Sequence, residues 1–325
     1  MMKKVLLSNT ELYVSQLSLG TVNYGTEMDT KAAKNQMNNF FELGGNFIDT
    51  AHVYGDWVPG TKGRSENIIG EWLKETGLRQ EVIISTKGAH PPISDMSISR
   101  INSTEIKRDI DESLENLGTD YIDLYFLHRD DPDVPVSVAL DVLELARQQG
   151  KIRYYGCSNW SLPRIIEANT YAKEHNYAGF VCNQLMWSLA DINESAMTDK
   201  TLVLMDEETF NYHEKTNMSV MAYTSAAKGY FTKLFLNKDI SDKISSRYDT
   251  LSNKLIFDEL IKVAKEVCVS LIEVELAYIM HQQFASVPIV SFSNDEQLEQ
   301  GMKSCELVLD DEVIKTFKKI KKYVV

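Results

Sequence analysis

"NSTEIKRDIDESLENLGTDYIDLYFLH", residues Asn102–His128, contains a helix and a strand separated by one glycine. Ile106, Ile110, Leu114 and Leu117 recur at the three- and four-residue spacing that lines one face of a helix. Asn102 and Glu105 resemble a capping box at its start, and Gly118 suits the left-handed conformation that commonly ends a helix. "DYIDLYFLH" is then a nearly continuous apolar run, as a strand buried on both faces requires, and it ends on His128. The same unit repeats in both directions along the chain. Other β-type runs are "QLSLG", "NFIDT", "EVIISTK", "IRYYGCS", "GFVCNQ", "SVMAY" and "SVPIV", which makes eight in all, with amphipathic stretches between them. No Gly/Ser/Pro-rich linker interrupts the series. The alternation predicts an α/β fold: a closed parallel (β/α)8 barrel, or TIM barrel, in one domain over residues 1–325. A β-hairpin around "SNTE" precedes it and an extra helix ends the chain. A doubly wound open sheet is the alternative, but no G-x-G-x-x-G or Walker-type stretch opens any helix.

Composition narrows the function classes. Hydrophobic residues make up 43% of the 325 and charged residues 25%, an ordinary globular balance. A formal net charge of −13 repels phosphate backbones, so no nucleic-acid partner is expected. The basic ending "KTFKKIKKYVV" reads as lysines set against the negative end of a helix dipole. "MMKKVLLSNTELYV" has too short an apolar run for a signal-peptide core, and nothing approaches the ~18 apolar residues of a membrane span. Cys157, Cys182, Cys268 and Cys305 form no CxxC pair, which fits reduced thiols in a cytoplasm.

In a barrel of this kind the functional groups project from the C-terminal ends of the strands. "NFIDT" delivers Asp49, "EVIISTK" ends on Lys87 and "DYIDLYFLH" on His128, while Tyr54 sits in the loop after the second strand. Polar groups closing three consecutive apolar strands would meet at one mouth. His52 and His90 lie in loops at the same end, so a metal site of His52, His90, His128 and a carboxylate is conceivable. No HxH or HExxH pairing supports it, Tyr54 and Lys87 would be superfluous there, and no metal is expected.

The ordered motifs "DTAHVYG", "STK", "YFLH", "GCSNW", "CNQ" and "MAYTS" resemble the signatures of the aldo-keto reductases over nearly the whole chain. The resemblance implies an oxidoreductase that moves a hydride between a nicotinamide dinucleotide and a carbonyl or alcohol. It makes Tyr54 the catalytic acid/base, Lys87 and Asp49 its activating pair, and His128 the group that orients the carbonyl. The chemistry needs these types: the alkoxide left by hydride addition must be protonated, and a phenol is helped by a nearby cation. For the cofactor, Ser158, Asn159 and Gln184 resemble the carboxamide-binding trio and Tyr223 the ring that stacks on nicotinamide. Thr224 and Ser225 open the stretch resembling a pyrophosphate loop, in which Lys228 is a further candidate.

After the last strand the chain departs from the family. "VPIVSFSNDEQLEQG" has no cation for a 2′-phosphate, Ser293 stands where Arg is frequent, and Gly301 where Asn is. With Ser291, Ser293 and Gln297 as adenosine contacts, NAD is expected ahead of NADP, unless Lys303 or a lysine after Tyr230 folds across. Trp57, Arg129, Asp130, Trp160 and Trp187 suggest a polar substrate such as a sugar, glycoside or polyol. The long stretches "AHPPISDMSISRINS" and "YFTKLFLNKDISDKISSRYDTLSNK" read as loops walling the pocket. The alternative function is a nicotinamide-binding regulatory subunit on the same fold.

Overall fold

A computed structural model of the chain describes residues 3–60 and 62–322. Strands β1 (Lys4–Leu6) and β2 (Tyr13–Ser15) form an antiparallel hairpin with Val5 opposite Val14. Eight parallel strands follow: β3 (Ser18–Gly20), β4 (Phe47–Asp49), β5 (Ile83–Gly88), β6 (Ile122–Leu127), β7 (Ile152–Ser158), β8 (Cys182–Met186), β9 (Ser219–Tyr223) and β10 (Ser286–Val290). They close in sequence order, β10 pairing with both β9 and β3. The (β/α)8 barrel expected from the alternation is the fold.

The helices α1 (Thr30–Glu42), α2 (Arg64–Thr76), α3 (Ser103–Leu117), α4 (Val136–Gln148), α5 (Leu162–Glu174) and α6 (Glu207–Thr216) each connect one barrel strand to the next. Between β9 and β10 lie α7 (Tyr230–Phe235), α8 (Asp242–Tyr248), α9 (Leu251–Glu266) and α10 (Leu271–Met280). The stretch after Tyr230, expected as a loop, is therefore mostly helical. After β10 come α11 (Asp295–Lys303) and the additional C-terminal α12 (Asp311–Lys322). Among the described residues no helix is long and apolar enough to cross a membrane.

Local chemistry accounts for α3. The Asn102 side chain accepts from the Glu105 N–H at 3.0 Å, and Gly118 closes the helix at φ 60°. The reciprocal half of the capping box is not made, because the Glu105 carboxylate accepts from Arg100 Nε instead, at 2.6 Å. The hairpin closes one end of the barrel. Leu7, Leu12 and Val14 are buried against the interior residues Phe47, Leu124, Phe126, Met221 and Val287, and the Ser8 N–H donates to Ser219 Oγ at the start of β9. The C-terminal ends of the strands remain the open mouth.

Candidate active site

β4 ends on Asp49 and β5 carries Lys87 beside it, with Asp49 opposite Ser85 in the ladder. Lys87 Nζ donates to Asp49 Oδ2 at 2.7 Å, to the Thr50 carbonyl at 2.6 Å and to Tyr54 Oη at 3.3 Å. Asp49 Oδ1 accepts from Ser85 Oγ at 2.7 Å and from Gln184 Nε2 at 2.9 Å. The buried ion pair thus has its remaining valences hydrogen-bonded, the condition under which burying two charges is tolerable. Tyr54 reaches it from a tight turn in which its N–H donates to the Ala51 carbonyl and Gly55 takes φ 94°. Arg64 braces that turn, donating to the carbonyls of Pro59 at 2.9 Å and Gly25 at 3.4 Å.

Burial raises the Tyr54 phenol above its ordinary value of 10.0, and the Lys87 ammonium opposes this without reversing it. Burial pulls Lys87 down, but Asp49 and Tyr54 outweigh it, so its ammonium is held above the usual lysine value. The pair is therefore a neutral phenol beside a fixed cation.

His128 follows β6, its N–H donating to the Gly88 carbonyl at 2.9 Å. Burial, then His90, Arg129 and Lys87, push its imidazole well below its ordinary value, so it is neutral. Nδ1 is buried without a partner among the described residues. An unpaired lone pair is tolerated better there than an unpaired N–H, which puts the proton on Nε2. Its ring lies 6.0 Å from that of Tyr54 and 4.7 Å from that of His90.

Asp49, Tyr54, His90 and His128 line a cleft of about 880 Å³, within the ~300–1,000 Å³ range of small-molecule and cofactor sites, with the buried Lys87 behind them. Ser158, Asn159, Gln184, Tyr223, Thr224, Ser225 and Ser291 all line it, as do Trp57 and Arg129. Asn159 is a keystone of the floor. At φ 60° its Oδ1 accepts from Tyr223 Oη at 2.5 Å and the Val203 N–H at 3.1 Å, while Nδ2 donates to Ser158 Oγ at 3.0 Å. Gln184 donates Nε2 to Asp49 Oδ1 at 2.9 Å. Ser225 Oγ donates to the Ile289 carbonyl at 2.8 Å, tying its loop to β10. Lys228, at φ 57°, adds an amine to the same wall, lowered from the usual lysine value by desolvation and then by Arg247 and Lys243.

Three expected substrate contacts do not reach the cleft. Asp130 turns outward to a buried ion pair with Arg164 at 3.0 Å. Trp160 is buried, its indole N–H donating to the Arg129 carbonyl at 3.2 Å and its ring edge-on to Phe180. Trp187 packs in the core against Phe284, Phe210 and Tyr278. Ser293 and Gln297 also stand outside the cleft lining, on the exposed start of α11, where the Ser293 N–H donates to Gln297 Oε1. His52 points away to Glu112 Oε2, 2.7 Å distant. His52, Asp109 and Glu112 cluster within 4.8 Å, but Asp109 already accepts from Arg100 and from the Ala89 N–H.

Ile93 and Met96, from the stretch after β5 expected to wall the pocket, line the cleft, whereas the sequence reading missed Val53 and the segment 198–202 after β8, which line it too. The segment is stapled over the mouth by Arg129, which donates to Thr201 Oγ1 at 2.9 Å and approaches Asp199 at 3.5 Å. Its position after a strand end was the available signal.

The model of the Aldo/keto reductase family matches residues 16–322. The chain belongs to that family. Among similar proteins of this aldo/keto reductase is the uncharacterized oxidoreductase YrpG of Bacillus subtilis, 28% identical over 97% of this chain and 94% of that protein. A probable voltage-gated potassium channel subunit beta of Oryza sativa subsp. japonica is 26% identical over 93% and 90%. An aryl-alcohol dehydrogenase of Pestalotiopsis microspora is 26% identical over 97% and 81%.

Proposed function

We propose that this aldo/keto reductase is an NAD(P)-dependent enzyme that interconverts a carbonyl and an alcohol, with Tyr54 as its proton donor and acceptor. The observation that carries the reading is the Lys87 ammonium held between Asp49 and Tyr54 Oη at the cleft floor. A bound nicotinamide supplies or accepts the hydride. The chain's own residues do the rest. Lys87 stabilises the phenolate that forms as Tyr54 gives up its proton, and Asp49 fixes that ammonium. Neutral His128, with its proton on Nε2, donates a second hydrogen bond to the substrate oxygen as charge develops there.

The cleft suits the cofactor. Gly20, on the wall at the end of β3, leaves room where a Cβ would stand 2.8 Å from Ser291 Oγ. Gln184 Oε1 and the Ser158 hydroxyl suit a carboxamide, and Lys228, with the backbone N–H groups of the loop that Ser225 ties to β10, suits a pyrophosphate. Beyond β10, Ser291 is the residue that lines the cleft and no Lys or Arg lies between Pro288 and Gly301 to pair with a 2′-phosphate, so NAD is proposed to bind at least as well as NADP. Titration of the protein with both oxidised cofactors at two salt concentrations tests this. Comparable or tighter NAD binding with little salt dependence is expected; tighter NADP binding that weakens steeply with salt would reveal a cationic site and overturn it.

The substrate proposed is a hydroxylated carbonyl or polyol. His90, Arg129, Asp199 and Thr201 form a polar wall, and the ring of Trp57, 46% exposed, gives a stacking face beside Ile93 and Met96. Relatives named as channel β subunits motivate the second reading, a nicotinamide-binding partner of another protein. Turnover of bound cofactor in a screen of carbonyls and alcohols, with a pull-down beside it, separates the two. Four unpaired cysteines fit a reducing compartment, so the cytoplasm is the proposed location.

A further inference from the structure

We propose that His90 is a specificity-determining residue, a fixed hydrogen-bond acceptor that selects substrates carrying a hydroxyl on the carbon next to the reacting carbonyl. The inference rests on the carbonyl/alcohol reading of the site above.

The loop after β5 is built to hold this one ring. Ala89 takes the left-handed conformation at φ 56°, a strained backbone for a non-glycine residue. Its N–H is held by Asp109 Oδ2 at 2.8 Å. The His90 carbonyl accepts from Arg100 Nη1 at 3.0 Å, and Arg100 is itself paired with Asp109 and Glu105. Pro91 and Pro92 stiffen the chain that follows. The buried Asp109–Arg100 pair, which the hydride-transfer chemistry does not use, thus grips His90 from both sides.

The imidazole is fixed as well. Its Nδ1 lies 2.7 Å from the Pro91 carbonyl, which can only accept, so Nδ1 carries the proton and Nε2 carries the lone pair. Nε2 has no partner among the described residues, and His90 lines the cleft. Burial, with Arg129 nearby, lowers the group to about 4, so the ring stays an acceptor at neutral pH.

Location decides what Nε2 accepts from. The His90 ring stands edge-on to His128, with centroids 4.7 Å apart. With a carbonyl oxygen between Tyr54 Oη and His128 Nε2, His90 is the polar side chain in ring contact with His128 on the same cleft wall, and the carbon next to the carbonyl is inferred to lie beside it. A hydroxyl there satisfies the bare lone pair, whereas an unsubstituted carbon leaves it unpaired in a cleft that Ile93 and Met96 also line. A site built to bind a hydroxyl discriminates steeply against the analogue that lacks it. In the alcohol direction the favoured class is the vicinal diol.

The test compares 2-hydroxypropanal with propanal, and propane-1,2-diol with propan-1-ol, in the cofactor-loaded protein and in its His90→Phe and His90→Gln variants. Phe keeps a ring against His128 without the acceptor; Gln returns an acceptor oxygen. The expected result is a kcat/KM ratio favouring the hydroxylated partner, reduced about tenfold or more in His90→Phe and partly restored in His90→Gln. Calorimetric binding of diol against mono-alcohol should show the same ordering without turnover. An unchanged ratio, or a loss shared equally by both members of each pair, would overturn the assignment, the latter marking His90 as packing for His128. Discrimination in binding with no turnover of any compound would leave His90 as the hydroxyl acceptor and overturn the hydride-transfer reading. Neither turnover nor discrimination would overturn both.

Discussion

Tyr54 has Lys87 3.3 Å from its hydroxyl, yet burial has the larger influence and leaves the phenol above its ordinary value. The sign of the pH dependence follows. Carbonyl reduction needs the protonated phenol, which a raised value preserves, so the reduction rate should stay flat from about pH 7 to 9. Alcohol oxidation needs the phenolate and should climb, up to about tenfold per pH unit, over the same range. Profiles of kcat in both directions check this, and an oxidation rate already level at neutral pH would contradict it. Asp49, Lys87 and His128 were legible because each ends an apolar strand, where a polar residue in a barrel has only the mouth to face. Asp130, Trp160 and Trp187 were misread for the complementary reason. Past a strand end the alternation of side chains is lost, and sequence does not say that Asp130 turns to Arg164 while Arg129 turns inward. His90 and His128 could be placed at the same mouth from sequence, but not their edge-on ring contact, which joins two loops 38 positions apart.

The helix α3 carries its instructions locally, in Asn102, the spaced isoleucines and Gly118. Asn102→Ala removes the acceptor for the Glu105 N–H and is expected to cost about 1 kcal/mol, read from the urea midpoint at unchanged slope. A shift of less than a few tenths would mean that water replaces the cap. Strands as short as β3 and β4 were still visible because their apolar runs extend beyond the residues that pair. By contrast α7 and α8 were read as loop. One or two turns present no periodic face, and the left-handed Lys228 and Gly229 just before α7 break any pattern there. Polar residues on buried faces also weaken the signal. Asp109 interrupts the apolar stripe of α3 because its task is to hold Ala89 and Arg100.

Over the whole molecule, the hairpin blocks one end of the barrel and the strand ends gather the polar side chains of the candidate site at the other, where the cleft opens. Stability carries a cost away from that mouth. Glu275 on α10 is fully buried, neither carboxylate oxygen has a partner among the described residues, and burial raises it well above its ordinary value. Its contribution is fully present below the unfolded value near 4.5 and is lost as pH rises toward the folded one. Glu275→Met should therefore stabilise the protein by about 1–3 kcal/mol, and more at pH 8 than at pH 5, in thermal melts. Equal or lower stability at pH 8 would show that Glu275 has a partner in solution. The central claim is that the barrel assembles a proton-transferring phenol on Lys87. Its most direct test is single-turnover hydride transfer in Tyr54→Phe, with cofactor affinity and melting temperature measured on the same sample. A fall of about 10²–10⁴ in rate with binding and folding intact is the expected result; near-full turnover by the variant would contradict the account.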